Sequence, residues 1–263
     1  MSSPGLLITN DDGVESPGLQ TLARRLAPNF DVIVAAPAHD VSGSGTGIGR
    51  FDPEKGVELR RVDFDGAEVY SIDGPPGLAV MAAALGAFGD PPDLVVSGIN
   101  AGINTGHSVI HSGTVGGALT ARTFGARGIA VSLAQSDPWH WETAAEVAEA
   151  AVEWILGRPS PQVLNINVPA LPVNEVKGVH WADLDEVGYF RVANAEMESM
   201  KLQLQVGPTI DSSDAGSDTY LCSEGYVAVT PLSTVEPAPF PDVSADAIWD
   251  PRAVEAEGSN PAV

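Results

Sequence analysis

The chain has 263 residues, with 35 Asp and Glu against 13 Lys and Arg, and its formal net charge at pH 7 is −22. Binding to a nucleic-acid duplex or to an anionic membrane surface needs clustered basic residues, so neither is expected as a partner. Hydrophobic residues make up 44% of the chain and charged residues 18%, which indicates a folded core rather than a disordered polyacid.

The first part of the chain alternates between patterns typical of strands and of helices. A short apolar run at 6–9 predicts a strand, and Ser16 followed by Pro17 is typical of the first turn of a helix. The further predicted strands are 31–36, 57–62, 68–72, 94–97 and 129–132, and the further predicted helices are 77–88, 114–123 and 141–156. This alternation predicts an α/β fold with a doubly wound, mostly parallel sheet of the Rossmann-like type.

Beyond about residue 163 the pattern changes. We expect a strand at 163–169 that leaves the core, a long and partly exposed β-hairpin within 188–206, and a final strand at 225–231. The predicted units are an α/β core at 1–170, a hairpin extension with the final strand at 171–235, and an acidic tail rich in Pro and Ala at 236–263.

The chain has a single cysteine, Cys222, which excludes an intramolecular disulfide and a cysteine-rich zinc site. It lies in a strand-like stretch at 220–222, so we expect a buried structural thiol. The sequence shows neither a signal-peptide pattern nor an apolar stretch of the roughly 20 residues that a membrane span needs. The expected location is therefore the cytoplasm.

The first chemical motif directly follows the first predicted strand and consists of Asn10, Asp11, Asp12 and Gly13. Two adjacent carboxylates repel each other unless a cation lies between them, and Mg²⁺ or Mn²⁺ prefers such oxygen ligands. Because Asn, Asp and Gly are also common turn residues, an ordinary turn remains the alternative. In a doubly wound sheet, however, the carboxyl ends of the strands are where ligands bind.

Two further motifs follow predicted strands at the same edge. Asn100 and Asn104 supply amides after the strand at 94–97, with an ordinary loop as the alternative. Ser112, Gly113 and Thr114 open a helix, and a helix N-terminus with free N–H groups and hydroxyls binds anions such as phosphate. Ordinary N-capping explains one hydroxyl but not the glycines. His111, directly before this turn, is a candidate phosphate contact or acid.

The glycine-rich segment at 40–49 does not fit a dinucleotide-binding fingerprint. The motif G-x-G-x-x-G needs a third glycine where this chain has Ile48 or Arg50. A Gly-Lys-Ser/Thr sequence is also missing, which disfavours a P-loop ATPase. We expect a loop over a ligand, with the hydroxyl of Ser42 reaching a metal.

Together these motifs resemble those of the SurE family of survival-protein nucleotidases. The matching stretches cover about 230 residues in order. They are T-N-D-D-G at 9–13, A-P at 36–37, S-G at 42–43, P-D-L-V-V-S-G-I-N-A-G at 92–102, S-G-T-V at 112–115, L-N-I-N-V-P at 164–169 and E-G-Y-V-A-V-T-P-L at 224–232.

The resemblance implies a divalent-metal-dependent phosphatase that hydrolyses nucleoside 5′- and 3′-monophosphates, with short polyphosphate as a further substrate of some members. It implies one cation in each subunit, Mg²⁺ or Mn²⁺, with Ca²⁺ as a possible occupant in a crystal. It also implies a homodimer or homotetramer that exchanges the hairpin. By position, the catalytic residues would be Asp11 and Asp12, the metal ligands Asp11, Asp12, Ser42 and Asn100, and the phosphate contacts Asn10, Asn104, His111, Ser112, Gly113 and Thr114.

Two departures leave the preferred substrate open. His107 and Ser108 stand where the family usually has an acidic pair, and the segment at 73–77 is richer in proline. Two other functions remain as alternatives. One is a non-catalytic nucleotide or polyanion sensor, and the other is a nucleoside hydrolase, whose D-x-D-x-x-x-D-D spacing is missing here.

Overall fold

The structure is a computed structural model that describes residues 4–64, 66–158, 163–186, 190–198, 201–208 and 214–234. The strands are β1 (Gly5–Thr9), β2 (Asp31–Pro37), β3 (Leu59–Val62), β4 (Glu68–Ile72), β5 (Leu94–Ala101), β6 (Arg127–Leu133), β7 (Val163–Val168), β8 (Val179–Trp181), β9 (Phe190–Glu198), β10 (Lys201–Pro208) and β11 (Val227–Leu232). The α-helices are α1 (Pro17–Leu26), α2 (Pro76–Ala84), α3 (Gly113–Thr123), α4 (Trp141–Leu156) and α5 (Asp218–Ser223), and short 3-10 helices span Gly106–His111 and Val173–Glu175.

Nine of these strands form one sheet in the order β3-β4-β2-β1-β5-β6-β7-β11-β8. The strands from β4 to β7 in this order are parallel to one another, whereas β3 and β11 run antiparallel to their neighbours β4 and β7. The chain passes from β1 to β2 on one side and later returns to place β5 on the other side of β1. This switch point opens a crevice at the carboxyl ends of β1 and β5. The predicted doubly wound α/β fold is thus confirmed.

The layers follow from the alternation of side chains along each strand. Leu6 and Ile8 of β1 face one hydrophobic cluster, and Leu7 between them faces another on the opposite side of the sheet. Helices α1 and α4 pack on the first face, while α2 and α3 pack on the second. Because both faces are covered, the central strands β1 and β2 are mostly apolar, as the sequence indicated.

Helix α1 begins where the sequence predicts. The side chain of Ser16 accepts a hydrogen bond from Leu19 N at 3.4 Å, and Pro17 occupies the first helical position, where no N–H donor is needed. This cap fixes the direction in which the chain leaves the Asn10–Gly13 turn.

The prediction that the strand at 163–169 leaves the core is wrong. All six residues of β7 are buried, and the strand pairs in parallel with β6. Asn165 and Asn167 are fully buried, and their side-chain amides donate to Asn104 O at 2.8 and 2.9 Å. These hydrogen bonds help such polar groups to lie inside the protein.

The predicted strand at 220–222 is also wrong, although the buried thiol is confirmed. Cys222 is 3% exposed and belongs to helix α5. The side chain of Ser217 accepts a hydrogen bond from Tyr220 N at 3.2 Å and so caps the helix. This cap outweighs the strand preference of the apolar residues that follow it.

The predicted hairpin is confirmed as an antiparallel pair of β9 and β10, with a register shift between Gln205 and Val206. It forms a two-stranded sheet of its own. The predicted tail at 236–263 lies outside the described residues, and the division into three units stays a prediction. Within the part of the chain that the structure describes, no helix combines the length and apolarity needed to cross a membrane.

Candidate active site

The turn after β1 places two carboxylates at the crevice of the sheet. Asn10 holds this turn from inside: it is fully buried, and its Nδ2 donates to Gly13 O at 3.1 Å and to Ser16 Oγ at 2.7 Å. These bonds fix the directions of Asp11 and Asp12 beside it. The structure therefore commits the Nδ2 group of Asn10, a predicted phosphate contact, to the turn, while its buried Oδ1 has no hydrogen-bond partner among the described residues.

Asp11 is the deeper of the two carboxylates, with 3% of its surface exposed. Burial raises its pKa, and the hydroxyl of Thr114 together with the N–H groups at the start of α3 opposes this rise. Asp11 Oδ1 accepts a short hydrogen bond from Thr114 Oγ1. The first turn of α3 thus lies directly against this carboxylate.

Asp12 is half-buried and lies toward β5, where its Oδ2 accepts a hydrogen bond from Ala101 N at 3.1 Å. Its pKa is raised to about 6, chiefly by burial and further by the negative charges of Asp11 and Asp40, while the Ala101 N–H acts in the opposite direction. Among the described residues, none of the ion pairs includes Asp11 or Asp12. The two adjacent carboxylates have no basic partner to offset their repulsion.

Asn100 was expected in a loop, but it lies within β5, which continues to Ala101 through a register shift against β6 between Ser97 and Asn100. This irregularity turns Asn100 toward the crevice, where its Oδ1 lies 3.3 Å from Thr114 Oγ1. Its Nδ2 donates to Gly102 O at 2.6 Å. The Thr114 hydroxyl therefore lies between an oxygen of Asp11 and the amide oxygen of Asn100.

The start of α3 approaches these groups closely because it lacks side chains where they would collide. A Cβ on Gly113 would lie 2.7 Å from Asp11 Oδ2 and would also strike Ser44 Oγ. Ser112 caps the helix, with its Oγ accepting from Val115 N at 3.1 Å. The N-cap that the sequence predicts is thus present, and the missing side chain of Gly113 allows the close approach to Asp11.

The glycine-rich loop contains two serines, Ser42 and Ser44, and the sequence prediction concerned only Ser42. Ser42 is exposed, and its Oγ donates to Asp40 Oδ1 at 2.6 Å, a bond that lowers the pKa of Asp40. Ser44 was not singled out by any motif, yet its buried Oγ has no hydrogen-bond partner among the described residues and lies against Gly113. The only sequence signal for it was a second hydroxyl in the same glycine-rich loop.

The hydrogen bonds of Asn104 and His111 join residues other than the two carboxylates. Asn104 Nδ2 donates to Ser132 Oγ at 2.9 Å, and its backbone N donates to Asn167 Oδ1 at 2.8 Å. His111 is exposed, and its carbonyl oxygen accepts from Gly45 N at 3.1 Å. Direct contacts therefore join Asp11, Asp12, Asn100, Gly113 and Thr114 at one edge, while the assignment of roles at this edge stays a prediction.

Comparison with known proteins gives the same family at the level of sequence and of fold. The family model described as survival protein SurE matches residues 6–190. The 5′-nucleotidase SurE of Alkalilimnicola ehrlichii is 38% identical over 232 residues, which cover 86% of this chain and 88% of the relative. The 5′/3′-nucleotidase SurE of Salmonella newport is 38% identical over 239 residues, covering 86% and 89%.

A crystal structure of the SurE protein from Aquifex aeolicus has the same fold. It superposes with a TM-score of 0.75 at 29% identity, and the match covers 97% of this chain and 100% of that one. The order of the sheet, the carboxylate pair after β1 and these matches lead to one conclusion: this chain belongs to the SurE family.

Proposed function

We propose that this chain is a phosphatase that depends on a divalent cation and hydrolyses nucleoside 5′- and 3′-monophosphates to nucleoside and phosphate. The observation that carries the proposal is the meeting of Asp11 and Asp12 with Asn100 and the first turn of α3. The relatives named 5′-nucleotidase and 5′/3′-nucleotidase support the same activity.

The groups at this edge fit one hard divalent cation in each subunit, Mg²⁺ or Mn²⁺. Asp11, Asp12 and Asn100 offer carboxylate and amide oxygens, the donors that such cations prefer. Because Gly113 has no side chain, the first turn of α3 approaches Asp11 closely, and a Cβ there would lie 2.7 Å from Asp11 Oδ2. Among the described residues no three His, Cys, Asp or Glu side chains form a metal site, so the amide of Asn100 and the hydroxyl of Ser42 would complete the ligand set.

A bound divalent cation would supply positive charge that polarises a phosphoryl oxygen. This matters here because the net charge of −22 and two unpaired carboxylates would otherwise repel a phosphate dianion. Ser42 would have to exchange its hydrogen bond to Asp40 in order to join the site, which ties loop movement to cation binding.

The first turn of α3 is suited to hold the phosphate itself. The N–H groups of Gly113 and Thr114 already act on the Asp11 carboxylate, as its pKa reflects. Ser112 Oγ accepts from Val115 N, which leaves its hydroxyl hydrogen available for a phosphate oxygen. Preorganised donors of this kind stabilise the charge that develops on the equatorial oxygens in the transition state.

One of the two aspartates would serve as the base that accepts a proton from the attacking water. Asp12 is the better placed, because it is half-buried and its Oδ2 accepts one hydrogen bond, from Ala101 N, whereas Asp11 is held by α3. Asn10, Asn104 and His111 remain predicted phosphate contacts around this centre.

The direct test is phosphate release from AMP, 3′-AMP and short polyphosphate with Mg²⁺ or Mn²⁺, and with EDTA. We expect release from both nucleotides that EDTA abolishes, and loss of release in Asp12→Asn. Asp93→Asn is the matched control, because the Asp93 carboxylate lies at the opposite end of the sheet, where it accepts a hydrogen bond from Gly5 N at 3.0 Å.

Three outcomes would contradict the proposal. Binding of AMP without phosphate release would identify a sensor, and release of free base instead of phosphate would identify a nucleoside hydrolase. Full activity of Asp12→Asn would remove the carboxylate pair from the mechanism.

We also infer that the chain works as a homodimer or homotetramer. The separate two-stranded sheet of β9 and β10 supports this, because an isolated hairpin is marginally stable in water and gains from a partner. Light scattering coupled to size-exclusion chromatography tests it, and a monomer at micromolar concentration would contradict it.

A further inference from the structure

A cavity of about 460 Å³ opens beside the proposed phosphate site, within the range of about 300–1,000 Å³ usual for small-molecule sites. We call it the α5 pocket, because residues of α5 form one of its walls. Its other walls come from the carboxyl ends of β5 and β6 and from the segment after β7. It therefore lies at the edge of the sheet where ligands of this fold bind.

The α5 pocket shares one stretch of backbone with the phosphate site. Ala101 and Gly102 line the pocket, while Ala101 N donates to Asp12 Oδ2 and Gly102 O accepts from Asn100 Nδ2. One side of this stretch thus faces the carboxylates and the other faces the cavity. The cavity and the groups of Asp12 and Asn100 are thus neighbours across one backbone segment.

The lining of the pocket suits an uncharged ring system. Ile103 and Ala134 belong to an apolar cluster with Cys222. Burial raises the pKa of the Cys222 thiol to about 12, so the thiol is neutral at physiological pH. Lys177 and Glu224 are the charged residues that line the cavity, one of each sign. One basic side chain beside one acidic side chain is poorly suited to bind a second phosphate group.

One residue of the pocket lining carries a buried hydroxyl without a hydrogen-bond partner among the described residues. Thr219 lines the cavity and is fully buried, and its Oγ1 has no hydrogen-bond partner among the described residues. Buried polar atoms are nearly always paired, so an orphaned hydroxyl at a cavity indicates a group that a ligand completes. Asp218 keeps Thr219 in place, because its carboxylate accepts hydrogen bonds from Gly106 N at 3.0 Å and Asp185 N at 3.1 Å.

We propose that the α5 pocket holds the sugar and base of the substrate, and that the Thr219 hydroxyl hydrogen-bonds the nucleoside. This inference rests on the phosphatase activity proposed above. It makes nucleoside monophosphates better substrates than polyphosphate, because the pocket provides apolar surface and one orphaned hydroxyl rather than positive charge. It also makes Thr219 a specificity-determining residue rather than a catalytic one.

The test compares AMP with glycerol 3-phosphate, an ester that has the phosphate but no ring. Ala134→Phe places an aromatic ring in the cavity, and we expect it to raise KM for AMP by about tenfold while kcat changes little. Hydrolysis of glycerol 3-phosphate should stay as in the unmodified protein. Ala87→Phe, an exposed position after α2, is the matched control, and Ala170→Phe on another wall replaces Ala134→Phe if that variant does not fold.

The role of Thr219 is tested by Thr219→Val, which removes the hydroxyl and keeps the branched shape. We expect KM for AMP to rise by about three- to tenfold, the usual effect of one hydrogen bond. An equal rise for all nucleotides indicates contact with the sugar, and a rise that depends on the base indicates contact with the base. An unchanged KM for every nucleotide would overturn the role of Thr219.

A binding measurement separates this inference from the proposed function. Calorimetry with adenosine in EDTA should detect binding to the unmodified protein and not to Ala134→Phe. Hydrolysis of both esters with no effect of Ala134→Phe or Ala170→Phe would overturn the pocket assignment and leave the phosphatase intact. Absence of AMP hydrolysis in the unmodified protein would instead overturn the proposed function.

Discussion

Two regions of this molecule bury carboxylates that have no basic partner among the described residues, and they do so in different ways. Asp218, at the start of α5, is fully buried and accepts hydrogen bonds from three backbone N–H groups, those of Gly106, Asp185 and Thr219. Asp12, after β1, accepts one such bond, from Ala101 N. Burial raises the pKa of both, so burial alone does not distinguish them.

The two regions differ in how many hydrogen bonds the surrounding protein donates to the carboxylate oxygens. The Asp218 carboxylate joins α5 to two other segments and has its acceptor positions filled by the protein, which is typical of a structural group. Asp12 lies next to Asp11 at an open crevice, and among the described residues it accepts one hydrogen bond, from Ala101 N, whereas Asp11 is held by the start of α3. Free acceptor capacity, rather than a perturbed pKa, therefore marks the candidate active site.

The largest expected effect is on activity, at the open site. Asp12→Asn removes one negative charge from the crevice, and we expect kcat/KM for AMP to fall by about 10²-fold or more, the scale seen when one electrostatic contact to a transition state is lost. The free energy of unfolding in EDTA should not fall, because one acceptor for Ala101 N remains. A parallel loss of stability would mean that Asp12, like Asp218, is a structural carboxylate.

The next effect is on stability, at the filled site. Asp218→Ala leaves three backbone donors without an acceptor, and we expect the free energy of unfolding to fall by about 1–3 kcal/mol or more. Asp12→Ala leaves one donor near solvent and should cost less. Urea unfolding of both variants in EDTA measures the contrast, with exposed Asp90→Ala as the control. Equal losses for Asp12→Ala and Asp218→Ala would remove the distinction between the two regions.

A smaller effect concerns pH. Asp12 has a folded-state pKa of about 6, above its ordinary value of 3.8, so folding favours its protonated form. The stability that this protonation contributes is present below about pH 4 and is lost as the pH rises through about 6. In EDTA the unmodified protein should therefore lose stability relative to Asp12→Asn between these pH values. Added Mn²⁺ at pH 7 should reverse the order, because a ligand that binds only the folded state stabilises it. Parallel pH curves for the two proteins would contradict the raised pKa.

The smallest effect concerns Ser44, whose buried hydroxyl has no partner among the described residues. Ser44→Ala removes an unsatisfied group, so we expect the metal-free protein to be unchanged or more stable by up to about 1 kcal/mol. Thermal unfolding in EDTA measures this, with Ser42→Ala as the comparison, since Ser42 is hydrogen-bonded to Asp40. A clear loss of stability in Ser44→Ala would show that this hydroxyl is already satisfied.

Most of the strands and helices of the core could be predicted from the sequence, because their signals are local. The apolar run of β1, the Ser16 cap and the Pro17 start each lie within a few residues of the element that they define. The wrong prediction for β7 has a different basis. The burial of Asn165 and Asn167 depends on hydrogen bonds to Asn104, about 60 residues away, which no local pattern contains.

The sequence by itself determined the fold class, the carboxylate pair and the glycine at the start of α3, because adjacent charges and a missing side chain are visible in the chain. Only the tertiary structure decided which groups these residues meet. Thr114 reaches Asp11 across 103 positions, and Asp218 reaches Gly106 across 112. Hydrogen bonds form between neighbours in space, so whether a buried carboxylate is filled or open is decided only when the sheet brings distant segments together.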